Sequence, residues 1–572
     1  MTKRIMDERM MDATRRPELL AKLAEKTYDL LVIGGGITGC GIALDAATRG
    51  LSVALVEKAS YASGTSGRST KLIHGGLRYL AQGDIRLVQE VGRERTILHR
   101  NAPHLVLSER MMLPIVRGGS YKKWSAFIGL SIYDRLAKVI PEERKKLLSR
   151  ASTLSEAPLL PDSSTLGAFR YAEYRTDDAR LTLAVIKSAV ERGAVAANYV
   201  AVEELLYDKD GRVAGARCSD KLANDVSTPI EIRARVVVNA AGPWVDAVRE
   251  KDAEIQGKAL HHTKGVHLVV DHADFPIGEA MYFDVFDGRM LFAIPRGRST
   301  YFGTTDTNYS GEPDDVQVSS EDVDYLLAAV ERMFPTLGLT REKIRSSWAG
   351  IRPLIHEPGK GPSEISRKDE IFISNSGIIS IAGGKLTGFR KMAERTTDAA
   401  VEALGRVVHP CSTEQIVLHG GAFASYAEVL SLQTALAAEI EAAVKPAIAP
   451  QLDSEFEAFQ LVHNFGTAAQ EIVTATKTGH GNTLLTTEVQ YCIQHESLQR
   501  LVDFYVQHTG RLYFQPGAIR SSLNEAAAAM GAMLNWDSKR TKQEVEAVET
   551  ALHAATDFKT KTTNKTKSSL NR

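Results

Sequence analysis

Residues 28–58, YDLLVIGGGITGCGIALDAATRGLSVALVEK, constrain the fold of this chain more than any other stretch. Leu30 to Ile33 is a short apolar run of the kind that forms a parallel strand buried on both faces. Gly34, Gly36 and Gly39 follow with G-x-G-x-x-G spacing. In that pattern the first glycine permits a tight turn, the second lets backbone approach a pyrophosphate, and the third allows close helix–strand packing. A helix starting there directs free N–H groups and the positive end of its dipole at a phosphate. Leu51 to Val56 reads as a second strand, and Glu57, 18 residues after Gly39, is placed to accept hydrogen bonds from ribose hydroxyls. An acid there disfavours a phosphorylated ribose, and so NADP. A glycine-rich turn that served packing alone would leave Glu57 unexplained. The stretch predicts a Rossmann-type unit that binds a dinucleotide.

Two later segments repeat the strand-then-small-residue logic. VVVNAAGPWVD (236–246) is an apolar strand running into Ala241 and Gly242. IISIAGGKLTGFRKMAERTTDAAVEAL (378–404) is an apolar strand, Gly383-Gly384, then a helix from about Thr387. Glycines ahead of a helix let backbone come close to a ring or a phosphate. The first unit stands near the start of a long chain and the others return to it from far away. That arrangement favours FAD over NAD.

Composition narrows the class. The 572 residues carry 70 Lys+Arg and 70 Asp+Glu, a balance that argues against a general nucleic-acid binder. The four cysteines, Cys40, Cys218, Cys411 and Cys492, show no metal-site or disulfide-framework spacing, so no metal and a reducing compartment are expected. The first 26 residues mix acids and bases and lack a secretory apolar stretch. The longest uncharged apolar run, Leu30 to Leu44, is broken by five glycines and is short of a membrane span.

The stretch RSTKLIHGGLRYL (68–80) gathers Arg68, Lys71, His74 and Arg78, a concentration of basic side chains that calls for a bound anion. Taken with WAGIRPL, EISRKDEI, FGTTDTNY and AGGKLTGFRKMAE, it resembles the FAD-dependent glycerol-3-phosphate dehydrogenases, within the D-amino-acid-oxidase-like flavoproteins. The likeness covers roughly residues 27–405, and GRLYF (510–514) extends it. STKLIHGGLRYL, GIRPL and GGKLT are its specific parts.

The resemblance implies oxidation of sn-glycerol 3-phosphate to dihydroxyacetone phosphate by hydride transfer to FAD. The substrate is a small dianion, which guanidinium forks bind well. Arg78, Tyr79, Arg352, Arg367 and Lys385 match substrate-pocket positions, and His74 borders the same pocket. His74, Arg352 and Lys385 are the candidate catalytic residues. His74 is the first candidate to take the C2 hydroxyl proton, because an ordinary imidazole titrates near neutrality. Gly34, Gly36, Gly39, Glu57, Thr65, Ser66, Lys71, Ala241, Gly242, Gly350, Gly384, Lys385, Leu386 and Thr387 are the expected cofactor contacts.

The expected fold is α/β. A Rossmann-type FAD domain is assembled from 27–105, 171–255 and 348–405, and an α+β substrate or cap domain from 106–170 and 256–347. An all-helical domain spans 406–555. Residues 1–26 read as a helical extension and 556–572 as a disordered basic tail. Within the cap, MMLPIVRGG, KKWSAFIGLSIYDRLAKVIP and KKLLSRAS read as helices or as a membrane-touching surface, and 256–347 as strands. The family members that use oxygen carry an extra cap insertion, with no counterpart between Val270 and Trp348 here. Quinone is therefore the expected acceptor, with peripheral attachment to the inner face of the cell membrane; a homodimer is an allowed assembly. Competing readings are the same substrate with oxygen as acceptor, an amine or amino-acid oxidase of the same fold, and a flavin-bearing RNA-binding protein. An amine substrate needs one carboxylate clamp rather than several cations, and zero net charge disfavours RNA. Where relatives carry an Arg pair before TG, this chain has Gln507-His508.

Overall fold

The computed structural model describes residues 11–74, 85–136, 139–223, 229–255, 257–285, 287–356, 369–444, 452–479 and 483–558. Arg78, Tyr79, Arg367 and residues 559–572 lie outside them.

The first sheet is built on four parallel pairings. Thr27–Ile33 lies between Ile230–Asn239 and Val53–Val56; beyond these come Ile379–Ala382 on one side and Val195–Ala197 on the other. Leu30, Leu31 and Val32 are fully buried, as a two-sided parallel strand requires. The helix Ile37–Thr48 packs on Asp178–Val190 and Phe389–Leu404, so three expected segments meet in one layer. Ile33 pairs with Val56 and with Asn239, which aligns the C-terminal ends of these strands along one edge. Ligands of doubly wound sheets bind at that edge.

The second sheet is mostly antiparallel and holds ten strands among the described residues. Its longest pairing joins Ala259–Asp271 to Ile344–His356, with Arg352 opposite Thr263. The expected boundary at 348 therefore falls inside a strand, and residues 348–356 belong to this sheet. Two expected cap helices are also strands. Leu107–Val116 and Lys146–Leu148 both pair with Thr165–Arg175. Met111 to Ile115 are buried without alternation, so periodicity cannot separate them from a buried helix. Lys123–Leu136 is the helix expected there. In the stretch read as strands, Ser320–Met333 is a helix with a Ser319/Asp322 capping box.

Among the described residues, six longer helices make the C-terminal domain: Tyr426–Glu439, Ser454–Phe465, Ala469–Thr478, Leu484–Glu496, Pro516–Leu534 and Ser538–Ala554. One apolar cluster runs from Met111, Tyr301 and Trp348 in the second sheet to Leu461, Tyr505 and Phe514. The N-terminal extension is part of this assembly. Its helix, Arg16–Ala24, packs on the first sheet. Arg16 donates to the carbonyl of Asn198 (2.9 Å), and Met11 accepts from the Ser497 amide (2.7 Å).

Candidate active site

The aligned strand ends open into an elongated cavity of about 740 Å³, within the range of about 300–1,000 Å³ common for ligand pockets. Gly34 begins the turn at φ +114°, a left-handed conformation, and a Cβ there would lie 2.6 Å from the Ala240 carbonyl oxygen. Gly36 lines the cavity at the helix start, while Gly39 sits one turn further in. A Cβ on Gly39 would stand 2.0 Å from the Gly34 carbonyl oxygen, so its task is packing and it does not line the cavity.

Glu57 lines the cavity with its carboxylate fixed by two backbone donors, Gly35 N–H (2.6 Å) and Ala59 N–H (2.9 Å). Burial pushes its pKa up, and those donors pull it back. Ser66 and Thr65 also line the cavity and tie its wall together. The Ser66 hydroxyl accepts from Ile37 N–H (2.9 Å), and the Thr65 hydroxyl donates to the Ile351 carbonyl (2.6 Å). Ala241, Gly242, Gly350, Gly384, Leu386 and Thr387 complete the expected set along the wall. A Cβ on Gly350 would meet the Arg68 carbonyl oxygen at 2.5 Å, so this strand passes directly against the 65–70 loop.

Lys71 departs from its expected place. It is 2% exposed and does not line the cavity. Its ammonium pairs with Asp178 and lies 3.9 Å from Asp177. Burial alone would lower its pKa, but the two carboxylates hold it above the ordinary lysine value. Arg68, its neighbour in sequence, does reach the cavity.

Three of the expected cationic or basic residues line this cavity. They are His74, Arg352 and Lys385, and the Lys385 charge acts on His74. The Arg352 fork is held by one loop: Nη2 donates to Thr304 Oγ1 (2.9 Å), and Nη1 donates to the Thr305 carbonyl (3.1 Å) and to Asp306 Oδ1 (3.2 Å). Gly265 makes room for it, since a Cβ there would fall 2.3 Å from Nη2. Burial, and then the Lys385 charge, push the His74 pKa down to about 3. His74 is therefore neutral at pH 7, with a free lone pair but weak basicity, rather than poised near neutrality as its residue type suggests. An entering dianion offsets the Lys385 charge and favours the protonated imidazole, which raises that pKa.

Other residues of this cavity carried no clear signal in the sequence. His267 stacks on Trp348 with ring centroids 4.8 Å apart, and its Nε2 meets Thr70 Oγ1 at 3.0 Å. It shares a strand face with Gly265, an i, i+2 relation visible in TKGVHLVV once that strand is paired. Tyr282 and Phe292, stacked at 4.5 Å, form an apolar wall beside His74. Arg289 also lines the cavity from a turn that no motif marks.

Strand ends, a glycine turn and a ribose-directed acid converging on one cavity define a dinucleotide-binding α/β protein. The cavity bordered by the Gly34–Gly36 turn, Gly350 and Gly384, with the Glu57 carboxylate on its wall, fits an adenine dinucleotide. Residues 29–390 match the family of FAD-dependent oxidoreductases, and residues 411–541 match the C-terminal domain of alpha-glycerophosphate oxidase. The chain belongs to the FAD-dependent oxidoreductase family and depends on FAD. It is 44% identical to the aerobic glycerol-3-phosphate dehydrogenase of Bacillus subtilis, over 96% of this chain and 99% of that one. It is also 44% identical to the protein of that name from Staphylococcus aureus, over 95% and 97%. The crystal structure of glycerol-3-phosphate dehydrogenase from Bacillus halodurans complexed with FAD superposes with a TM-score of 0.81 at 40% identity, covering 96% of this chain and 99% of that one.

Proposed function

We propose that this chain oxidises sn-glycerol 3-phosphate at C2 to dihydroxyacetone phosphate, with hydride passing to FAD and the electrons going on to a membrane quinone. The observation that carries this reading is that Arg352, Lys385 and His74 line one cavity with the glycine turn and Glu57, the Lys385 charge acting on His74. The names of the full-length relatives support the substrate. FAD, when bound, supplies a two-electron acceptor.

The chain's own residues do the rest. Arg352, whose fork is braced by residues 304–306, and Lys385 bind negative charge on the substrate and orient C2. Their charge also stabilises negative charge growing on the C2 oxygen. His74 accepts the hydroxyl proton as the dianion lifts its basicity. Arg78, Tyr79 and Arg367 are assigned to the phosphate. Arg68 extends the positive wall, and Tyr282 with Phe292 excludes water. Among the described residues no helix is long and apolar enough to cross a membrane, so a quinone would be met from the membrane surface.

Anaerobic mixing of the FAD-loaded protein with glycerol 3-phosphate, followed by flavin absorbance, tests the reading. Rapid bleaching is expected, with recovery on adding a soluble quinone analogue faster than on adding oxygen. Intact flavin that does not bleach would reject the substrate; faster recovery with oxygen would reject the acceptor.

A further inference from the structure

The strand Thr165–Arg175 brings to the cavity an acid that the chemistry above does not use. Leu72 pairs with Arg175 and Ile73 with Tyr174, and the next residues along that register are His74 and Glu173. Both line the cavity. Tyr171 lines it too, whereas Ala172 and Tyr174 do not, so the alternation of the strand turns Tyr171 and Glu173 toward it. The surroundings are apolar. Leu72, Tyr171, Tyr282, Met290 and Phe292 belong to one cluster, and the Phe292 ring stands 6.2 Å from the His74 ring. Among the described residues three acids line the cavity, Glu57, Asp306 and Glu173. Glu57 accepts from the glycine turn, and Asp306 accepts from Arg352. Glu173 is 2% exposed and is held from behind. The Tyr133 hydroxyl donates to its Oε1 (3.0 Å), and buried Arg95 lies 3.4 Å from its Oε2. Arg95 also donates to the Tyr133 hydroxyl (2.7 Å) and to the Ala172 carbonyl (3.2 Å), and neither Arg95 nor Tyr133 lines the cavity.

We propose that Glu173 selects the end of glycerol 3-phosphate that carries no phosphate, its carboxylate accepting a hydrogen bond from the C1 hydroxyl. This inference rests on the substrate reading above. A carboxylate accepts several donors at once, and a substrate hydroxyl adds one from the cavity side. In an apolar wall such a bond is stronger than in water. The same charge repels the phosphate, so the dianion lies with its phosphate toward Arg352 and Lys385 and its neutral hydroxyl toward Glu173. That fixes which way round the substrate lies and brings C2 to His74, between the two. Arg95 and Tyr133 are positioning residues, which set the carboxylate before the substrate arrives. An acid that only paired Arg95 would not need a place on the cavity wall.

The test compares two compounds on the full FAD-loaded chain: glycerol 3-phosphate, and its 1-deoxy analogue, in which a methyl group replaces the CH2OH. Both keep the phosphate and the C2 hydroxyl, so flavin bleaching and dye reduction read the same chemistry. The parent should favour glycerol 3-phosphate by at least about 100-fold in kcat/KM, because a site built to bind a hydroxyl rejects an analogue that lacks it. Glu173→Gln keeps an acceptor but loses the charge-assisted bond, and should cut that preference by about fivefold or more. The paired variant Arg95→Met with Glu173→Leu leaves no buried charge unpaired and should bring the two compounds within about threefold of each other. The flavin spectrum and melting temperature check that each variant has folded. A parent chain that uses both compounds alike would overturn the proposal. So would variants that lose rate on both compounds in equal proportion, since the carboxylate would then only support the fold. A parent flavin that neither compound bleaches would remove the substrate reading, and this inference with it.

Discussion

Arg352 shows what a single side chain owes to its neighbours. A loose guanidinium at this exposure would be a weak ligand, since surface ion pairs contribute about 0–1 kcal/mol. Here three contacts with residues 304–306 fix the fork before any anion arrives, and Gly265 gives it the space to lie flat. Arg352→Ala should raise KM for glycerol 3-phosphate and lower kcat, while the flavin spectrum of the purified protein stays that of the parent. A loss of about 10²–10³ in kcat/KM is of the size seen when a charge-stabilising donor is removed. Gly265→Ala should reproduce the KM part of that effect by displacing the same group. Steady-state dye reduction checks both, and parent kinetics in Arg352→Ala would take Arg352 out of the pocket. At this scale the sequence was readable where the constraint is local and steric. The 34–39 glycines and Glu57 follow from a turn, a close approach and a fixed strand length. His267 was not readable, because its place beside Arg352 arises only when two strands distant in sequence pair.

Elements carry the same lesson with a different cause. The strands Thr27–Ile33 and Ile379–Ala382 and the helices Ile37–Thr48 and Phe389–Leu404 announced themselves by apolar runs ending in glycine. Leu107–Val116 did not, since its centre is buried on both faces and so lacks alternation. The short helix Leu501–Asp503 holds another feature hidden from sequence. Asp503 is buried and accepts from the Tyr199 hydroxyl at 2.7 Å, across the contact between the helical domain and the first sheet. Burial lifts its pKa to about 7, against the opposing pull of Tyr199 and Arg500. The folded chain therefore holds a proton here that the unfolded chain has released, over the window from about pH 4 to 7. This group's contribution to stability is full below that window and is lost as pH rises through 7. Asp503→Asn keeps an acceptor for Tyr199 and removes the charge. The variant should melt a few degrees above the parent at pH 8, and that advantage should shrink markedly by pH 5. Thermal unfolding at the two pH values measures it; an equal shift at both would mean that the carboxyl is already ionised at pH 5.

Across the whole molecule, one buried carboxylate gathers several contacts at the joint between the flavin-binding sheet and the helical domain. Glu496 takes both Arg180 nitrogens (2.6 and 2.8 Å), Lys187 (3.0 Å) and His508 Nδ1 (2.9 Å). Burial would raise its pKa, but the Arg180 and Lys187 charges hold it well below the ordinary carboxylate range. Cys492 stands beside these groups, yet the two permanent cations already satisfy the carboxylate and repel a metal ion. His508, whose pKa burial holds below the ordinary imidazole value, thus supplies a neutral or weakly charged fourth contact to a site with two full positive charges. Sequence could not pair His508 with this group, since Arg180 lies more than 300 residues away. Glu496→Gln leaves Arg180 and Lys187 buried without their counter-charge, which typically costs about 3–5 kcal/mol. The helix Asp178–Val190 that bears both cations also packs on the glycine-turn helix, so the damage should reach the cofactor. The expected result is a lower melting temperature together with flavin release at temperatures where the parent retains it. Replacing the whole group with apolar residues of similar volume, Arg180→Met, Lys187→Met and Glu496→Leu, should recover most of the stability, because no charge is then left unpaired. Flavin fluorescence followed during a thermal ramp reports release and unfolding together. If Glu496→Gln released flavin as the parent does, the joint would be held by the apolar contact alone, and the ion group would have no part in coupling the two domains.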